Sequence, residues 1–484
     1  MSLRGSRRRG LASITGPVLR PADAGYAAEI AAFNTAVPRR PGIVVGAQSE
    51  DDVITAVAGA GADGLPVAVK GAGHGAAVDP EAPVLVSTRR LDAVAVDPRA
   101  RTARVGAGAT WAQVIAAAAP HGLTALTPSS TRVGVAGYTL GGGLGLLGRR
   151  HGFAADHLLR LRLVTADGRP HEIDADRAPE LYWALRGAGR SGFGVVTELE
   201  FALFPLARLY GGGIVWPTAA AADVLHAWRE WTPTLPDEAG TSIALLRVPR
   251  AAGWPAPLHD RTVVHVRFTG ADVDVVTGDA LLAAMRTVGR PLLDEVGELS
   301  LTATDAVHRD AVAAGPVHDG GAALRELPAR AVDALLAAAD VEVAGPLTMV
   351  ELRALGGALG RAPAAQNAVA GRGAGYALHV QGRLVEPVAA DVPGAVATLL
   401  DAMAPWSLGG ALPTFAGAGE PEALWSPRDR AQLRLLRQAV DPEGMFAIPP
   451  PPGPGAPHPA DAGAPGMAAG RGGGGVRRGA ARAV

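Results

Sequence analysis

Two glycine-rich stretches, VAVKGAGHG at residues 67–75 and VGVAGYTLGGGLG at residues 133–145, narrow what this chain can fold into. Each starts in β-branched apolar residues and then breaks into glycine. A segment so poor in side chains lets its backbone N–H groups approach a partner closely, and phosphate is the usual partner. Either stretch alone reads as ordinary tight turns. Together, joined by small α/β units, they suit a long dinucleotide lying between two lobes. One loop would hold the pyrophosphate and the other would pass beneath an extended ring system. His74 is the anomaly, because an imidazole has no place in a plain phosphate cradle. Lys70 just before it, the single lysine of the chain, could add charge there.

The flanking pattern supports two such lobes. Within residues 42–205, GIVVGA, LPVAVK and APVLVS read as strands, AVAVDPRARTARVGAG as two strands around a turn, and GFGVVTELEFALF as a closing strand. Ser49 with Asp52, and Thr110 with Gln113, predict capped helix starts. Asp167-Gly168 predicts a hairpin turn. Residues 206–416 have a different, α+β texture. The helices TAAAADVLHAWREW and DVDVVTGDALLAAMRTVG alternate there with the strands TSIALLRV, TVVHVRF and GYALHVQGRLV. Period-2 alternation in the last two predicts one buried side and one facing solvent or ligand. PRDRAQLRLLRQAVDPEGMF predicts a final helix and turn. From Ala447 onward Pro, Gly and Ala dominate, which predicts a disordered tail.

Composition removes several chemistries. The 484 residues contain no cysteine, which excludes disulfides, thiolate metal ligands and a cysteine nucleophile. A formal net charge of −1 gives no reason to expect nucleic acid as a partner. No apolar run is long enough to span a membrane. Arg7 to Arg9 are followed by a short, weakly apolar piece broken by Gly16, Pro17 and Arg20, so a cytoplasmic location is expected rather than twin-arginine export. His151 and His157 fit no metal-ligand spacing, and no metal is expected.

Gly143, Gly145 and Gly148 fit GxGxxG, with Asp167 further on, as in a nicotinamide-dinucleotide fingerprint. That fingerprint must directly follow a strand and open a helix. The residues before it are themselves glycine-rich, so the NAD(P)-dependent Rossmann reading is kept only as an alternative.

The pair VAVKGAGHG and VGVAGYTLGGGLG…GRRHGFAADHLL…LVTADG resembles the FAD-binding domain of the vanillyl-alcohol oxidase superfamily. Within it, the similarity is to the berberine-bridge-enzyme-like group and its bacterial 6-hydroxynicotine oxidase-like members. PELYWALRGAG and GFGVVTELEF continue the resemblance, and WSPRDRAQLRLLRQAVDPEGMF resembles the segment that returns to the flavin domain. The resemblance implies an α+β protein with a two-lobed PCMH-type FAD-binding domain and a substrate domain whose antiparallel sheet is covered by helices. The expected division is an arm at 1–35, the FAD-binding domain at 36–205, the substrate domain at 206–416, the returning segment at 417–448 and the tail at 449–484. It implies FAD contacts at Lys70, Gly71, Ala72, Gly73, His74, Gly75, Ser129, Ser130, Val133, Gly134, Gly137, Tyr138, Gly141, Gly142, Gly145 and Val195. His74 matches the histidine that such proteins join to the flavin 8α-methyl carbon.

The chain also departs from the family pattern. Ser130 stands where some relatives carry a second, cysteine attachment, and Lys70 where arginine is more frequent. Leu412 and Thr414 stand where bacterial relatives often present Tyr and Asn, and Pro449 where an Asn is common. Hydride transfer from an alcohol or amine needs a base for the proton, with dioxygen as the expected electron acceptor. The candidates are Tyr376, His379 and Arg372; the first two are three apart, so on a strand they face opposite sides. His265 and Arg267 in TVVHVRF read more readily as a half-exposed strand. The readings left open are an FAD-dependent oxidoreductase of a small organic substrate and a flavin- or ligand-binding protein that has lost catalysis.

Overall fold

Short valine-rich strands build the first lobe. The computed structural model describes residues 13–75, 82–190, 192–251, 253–339, 345–416 and 422–446, all within the unit Met1–Pro449. The expected tail therefore lies outside the described residues, as does Pro449. Strands β1 (Val18–Leu19), β2 (Ile43–Gly46), β3 (Val67–Lys70) and β4 (Val84–Ser87) form a sheet in the order β1-β2-β4-β3, with β4 parallel to β2 and β3. Parallel strands need a crossover, and helix Glu50–Ala62 follows β2 in that role. Ser49 caps this helix by accepting from Asp52 N at 3.2 Å. The Asp52 carboxylate does not return the bond; it accepts instead from the backbone N–H groups of Thr15, Gly16 and Gln48 at 2.7, 3.0 and 2.9 Å and ties the N-terminal arm to the lobe.

The second lobe is an antiparallel sheet of β5 (Val94–Asp97), β6 (Thr102–Gly106), β8 (Leu158–Val164), β9 (Pro170–Asp174) and β10 (Val195–Ala202), in the order β5-β6-β10-β8-β9. Between these, β7 (Leu123–Thr124) pairs with β11 (Phe204–Pro205). The Thr110–Gln113 cap forms as expected, Gln113 Oε1 accepting from Thr110 N at 2.9 Å. The helix it opens buries Trp111 against Phe201 of β10.

The third layer is a larger antiparallel sheet. Its strands are β12 (Leu209–Pro217), β13 (Ala239–Arg247), β14 (Thr262–Ala271), β15 (Leu293–Asp294), β16 (Gly297–Leu299), β17 (Val317–Leu324), β18 (Met349–Ala354) and β19 (Tyr376–Arg383). The order is β15-β12-β14-β13-β18-β19-β17, with β16 also on β12. Helices Ala221–Trp231, Val275–Arg286, Ala329–Ala339 and Val392–Met403 bury Trp228, Leu282, Leu335 and Leu399 against one face. Each such side chain contributes about 1.5–3 kcal/mol. The side of β14 expected to face solvent or ligand is not open to solvent, because nearly every residue of that strand is buried. Its second face is covered by Trp254, 5.2 Å from the His265 ring, and by the Leu146 backbone, whose carbonyl accepts from Thr269 Oγ1 at 3.0 Å. Helix Pro427–Val440 puts Leu433 into the second-lobe core, and Val67 N donates to Met445 O at 2.9 Å in the first. No helix among the described residues is long and apolar enough to cross a membrane.

Candidate active site

The two glycine stretches meet back to back. A methyl group placed on Gly134 would lie 3.0 Å from Ala72 Cβ, and one on Gly73 would lie 3.1 Å from Ala32 Cα. Gly73 has φ of 74°, a left-handed conformation that glycine adopts without strain. The loop Gly71, Ala72, Gly73, His74, Gly75 is thus held close between the arm and the second stretch. Gly75 and Gly141 both lie against the Arg190 side chain, whose Nη1 donates to Pro413 O at 2.6 Å.

Lys70 does not reach into the loop's open side. It is 5% exposed, and its Nζ donates to the Glu29 carbonyl at 3.0 Å. Burial pushes its pKa down to about 8; Glu29 opposes this, and Arg39, Arg89 and Arg90 reinforce it. His74 lies flat on Phe33, with ring centroids 4.3 Å apart and planes 13° apart. Its pKa is lowered from 6.5, chiefly by burial and then by the Arg132 charge, against the pull of Asp310 and a hydrogen bond to the Arg132 backbone. The imidazole is therefore neutral near pH 7.

The second stretch is anchored from the large sheet's side. Thr131 N and Oγ1 each donate to the Asp305 carboxylate at 2.7 Å. Ser129 and Ser130 precede it, and Val133 leads to Gly134 at the start of helix Val135–Leu140. Gly137 on that helix is exposed, and a methyl there would meet no atom within 4 Å. Tyr138 is buried edge-on against Trp111, and burial pushes its phenol well above 10. Gly142 has φ of 100° beside Val369, and a methyl on Gly145 would strike Thr127 O at 2.7 Å. The Val195 side chain lies in the first-lobe core. Gly143, Gly145 and Gly148 follow this helix rather than a strand, and Asp167 sits in a hairpin turn with Thr165. The GxGxxG context required for nicotinamide binding is not formed.

Opposite these loops, the large sheet presents a buried polar row that no single motif announced. Its register sets Arg267 beside Ser242, Ser242 beside Arg353, His265 beside Ala244, Ala244 beside Glu351, and Glu351 beside His379. Small residues between the charged ones leave room for long side chains on one face. Arg267 Nη1 lies 3.1 Å from Glu351 Oε1, and Arg353 Nη2 lies 3.0 Å from Glu351 Oε2. Burial alone would raise the Glu351 carboxyl; Arg353, His308 and Arg267 together hold it well below 4.5. His265 accepts at Nδ1 from Arg267 Nε at 2.9 Å, and burial keeps it neutral. His265 and Arg267 are each 1% exposed, so the half-exposed reading of their strand is corrected. Arg353 Nη2 reaches to 3.5 Å from Ser129 Oγ, joining the row to the second stretch. The Asp310 carboxylate acts electrostatically on His74, Arg267 and Arg353 alike.

The three base candidates separate. Tyr376 points into the helix layer, where its hydroxyl is 3.1 Å from Thr232 Oγ1 and its ring packs on Trp228, so it is removed from the loop-facing side. Arg372 is an internal strut, paired with Asp156 and with Asn367 Oδ1 at 2.9 Å. His379 alone of the three is on the loop-facing side; it stacks on Phe415 at 4.7 Å, with Nε2 3.5 Å from Asp319 Oδ2. Arg353 lies over the other partner in that stack, 5.0 Å from the Phe415 ring. His151 and His157 are explained by structure, packing around Phe204 while His157 Nε2 bonds His151 O at 2.7 Å.

The donor set fits FAD. Tyr138 Oη, Arg353 Nε, His308 Nδ1 and His379 Nε2 are buried with no hydrogen-bond partner among the described residues. Buried polar groups are ordinarily satisfied, and these lie where glycine-rich backbone faces the charged row. Such a surface offers N–H groups to phosphate oxygens and side-chain partners to a polar ring system.

Comparison with known proteins agrees. Residues 41–174 match the family model described as an FAD binding domain. Over 208 residues the chain is 36% identical to (R)-6-hydroxynicotine oxidase of Paenarthrobacter nicotinovorans, covering 42% of this chain and 45% of that protein. The chain spans about half the length of the curated relatives it matches. The fold is that of 6-hydroxy-D-nicotine oxidase from Arthrobacter nicotinovorans, with TM-score 0.75, 23% identity, and coverage of 90% and 97% of the two chains. BBE-like 1 of Physcomitrella patens aligns with TM-score 0.80 at 18% identity, covering 92% of this chain and 99% of that one. The expected α+β architecture, with its antiparallel sheet, is the one observed.

Proposed function

We propose that this chain, which carries an FAD binding domain at residues 41–174 and has the fold of the berberine-bridge-like and 6-hydroxynicotine oxidase proteins, is an FAD-dependent oxidoreductase. The observation that carries this reading is the meeting of two glycine stretches, so close that a methyl placed on Gly134 would lie 3.0 Å from Ala72 Cβ, opposite a buried polar row. FAD, when bound, supplies the two-electron acceptor for a hydride from an alcohol or amine carbon of a small organic substrate. The curated relative above is itself named as an oxidase. Dioxygen is the electron acceptor on this reading, and hydrogen peroxide the by-product.

The chain's residues divide the work. Residues 36–205 bind the cofactor through the two stretches, and residues 206–416 bind the substrate. His74, neutral and accessible to a partner in the loop, holds FAD covalently. His379 takes the substrate's hydroxyl or ammonium proton at Nε2, which lies 3.5 Å from Asp319 Oδ2.

Expression and acid precipitation test the reading. Yellow retained in the washed pellet and lost in His74→Ala supports a covalent flavin at that residue, and peroxide release on an alcohol or amine panel supports turnover. A colourless protein even after FAD is supplied removes the proposal. A second reading, a flavin-binding protein without turnover, is favoured by Leu412, an apolar core residue 1% exposed where relatives often carry tyrosine. A reducible flavin with no turnover across the panel supports that alternative.

A further inference from the structure

The arm segment before β2 carries an aromatic ring that neither the glycine stretches nor the polar row requires. Phe33 N donates to Gly73 O at 2.8 Å, and Gly315 N donates to Phe33 O at 3.0 Å. Next to it, Asn34 Nδ2 donates to Val317 O at 2.9 Å while Val317 N donates to Asn34 Oδ1 at 3.1 Å. Thr35 N adds a bond to Gly315 O at 3.1 Å. One short extended segment is therefore fastened both to the first glycine stretch and to the start of β17. From this double anchor the Phe33 ring lies flat on His74, 4.3 Å away and 13° from parallel.

We propose that Phe33 is a positioning residue for covalent attachment of FAD, fixing the plane of the His74 imidazole in which the attacking lone pair lies. The inference rests on the reading that His74 carries the flavin. A histidine set between two glycines has a backbone free to move and a side chain free to rotate. The ring face on Phe33 removes rotation about the side-chain torsions. The hydrogen bond to the Arg132 backbone occupies one ring nitrogen, and so leaves the lone pair of the other for the new bond. Burial keeps that lone pair free of a proton at neutral pH. In the attachment, His74 nitrogen forms a C–N bond to the 8α-methyl carbon. That carbon loses one hydrogen and the imidazole loses its N–H proton. The two electrons released pass to dioxygen, which takes up two protons and leaves as hydrogen peroxide. Small errors in placing a nucleophile are costly in rate, so the ring plane should govern how fast the bond forms.

The test follows attachment itself rather than turnover. Full-length apo-protein from flavin-depleted cells is mixed with FAD in air, and acid-stable flavin is measured over time beside total bound flavin and the melting temperature. Phe33→Leu keeps an apolar side chain but removes the flat face. Attachment should slow at least about tenfold, with total FAD and melting temperature close to wild type, and Phe33→Tyr should restore the rate. Attachment by Phe33→Leu at the wild-type rate overturns the proposal. So does a loss of FAD binding and melting temperature in step with the rate, or equal slowing in Leu and Tyr variants. Wild-type protein that binds FAD yet never yields acid-stable flavin overturns the His74 link as well. Where wild type attaches and His74→Ala does not, the Phe33 variants decide this proposal alone.

Discussion

Glu351 faces His379 across the β18–β19 ladder, and the same carboxylate receives both buried arginines, Arg267 at 3.1 Å and Arg353 at 3.0 Å. One acidic side chain therefore balances two cations in a row from which water is excluded. His265 and His308 stay neutral there, each by burial first. The charge at the loop-facing side is set by Glu351, and the consequences of removing it are direct.

Glu351→Gln should cost about 3–5 kcal/mol, because it removes the carboxylate paired with two buried guanidinium groups. The wild-type carboxyl is held well below 4.5 in the fold, so its contribution is present above the unfolded value and is lost as pH falls through the folded one. Urea unfolding measured from pH 7 downward should show this acid-side loss in wild type and not in Glu351→Gln. Equal slopes in the two proteins count against the network.

His379→Asn should lower kcat/KM by about 10²–10⁴-fold, the range for a lost general base. Asp319→Asn, which removes the carboxylate 3.5 Å from His379 Nε2, should also lower kcat/KM. Tyr376→Phe serves as the contrast: its hydroxyl meets Thr232 in the helix layer and its loss should leave kcat/KM in place.

Lys70 gives a stability prediction of the same pH sign, at the alkaline end. Its folded pKa is pushed down to about 8 from 10.5, so the fold disfavours the charged form. Between these values the unfolded chain binds the proton and the native chain does not, and stability rises with pH by about 3 kcal/mol at most. Lys70→Met should remove that component, visible as a flatter difference curve in denaturant melts between pH 8 and pH 10.5. A curve that keeps the wild-type slope would mean that Lys70 is not buried as described.

Much of this fold was legible before any coordinates. Capped helix starts at Ser49 and Thr110, the Asp167-Gly168 hairpin and the valine-rich strands all follow from local chemistry that tertiary packing did not override. Period 2 also settled that Tyr376 and His379 face opposite ways. It could not say which way faced the loops, because both sides of β19 are covered, one by helices and one by the two lobes. The polar row was hidden for a related reason. Arg267 and Glu351 are 84 positions apart in the chain and meet only through the pairing of β14, β13 and β18. The usable signal was a charged residue at every second position of otherwise apolar strands, in HVR and in ELR. Phe33 carried no signal, since stacking between the arm and a glycine loop has no period. The Ser49 box was half right because the Asp52 carboxylate is taken by three other backbone donors, Thr15, Gly16 and Gln48.

Gly137 separates chain stability from cofactor binding. It lies in helix Val135–Leu140, among residues that are mostly buried, yet it is exposed, and a methyl there meets no atom within 4 Å. Replacing a helical glycine by alanine with no steric conflict gains roughly 0.5–1 kcal/mol, mainly from the entropy of the unfolded chain. Gly137→Ala should therefore raise the melting temperature of the apo-protein. The same methyl would stand on the surface assigned to FAD, so the variant should bind FAD more weakly, by about tenfold for a displacement costing roughly 1.4 kcal/mol. Gly134→Ala makes the internal contrast, because its methyl would sit 3.0 Å from Ala72 Cβ and strain the meeting of the two loops. That variant should lose apo-protein stability and FAD affinity together. Calorimetric melting of apo-protein and fluorescence titration with FAD, both in a His74→Ala background that prevents attachment, measure the two quantities independently. If Gly137→Ala raises both, the cofactor does not lie against this helix.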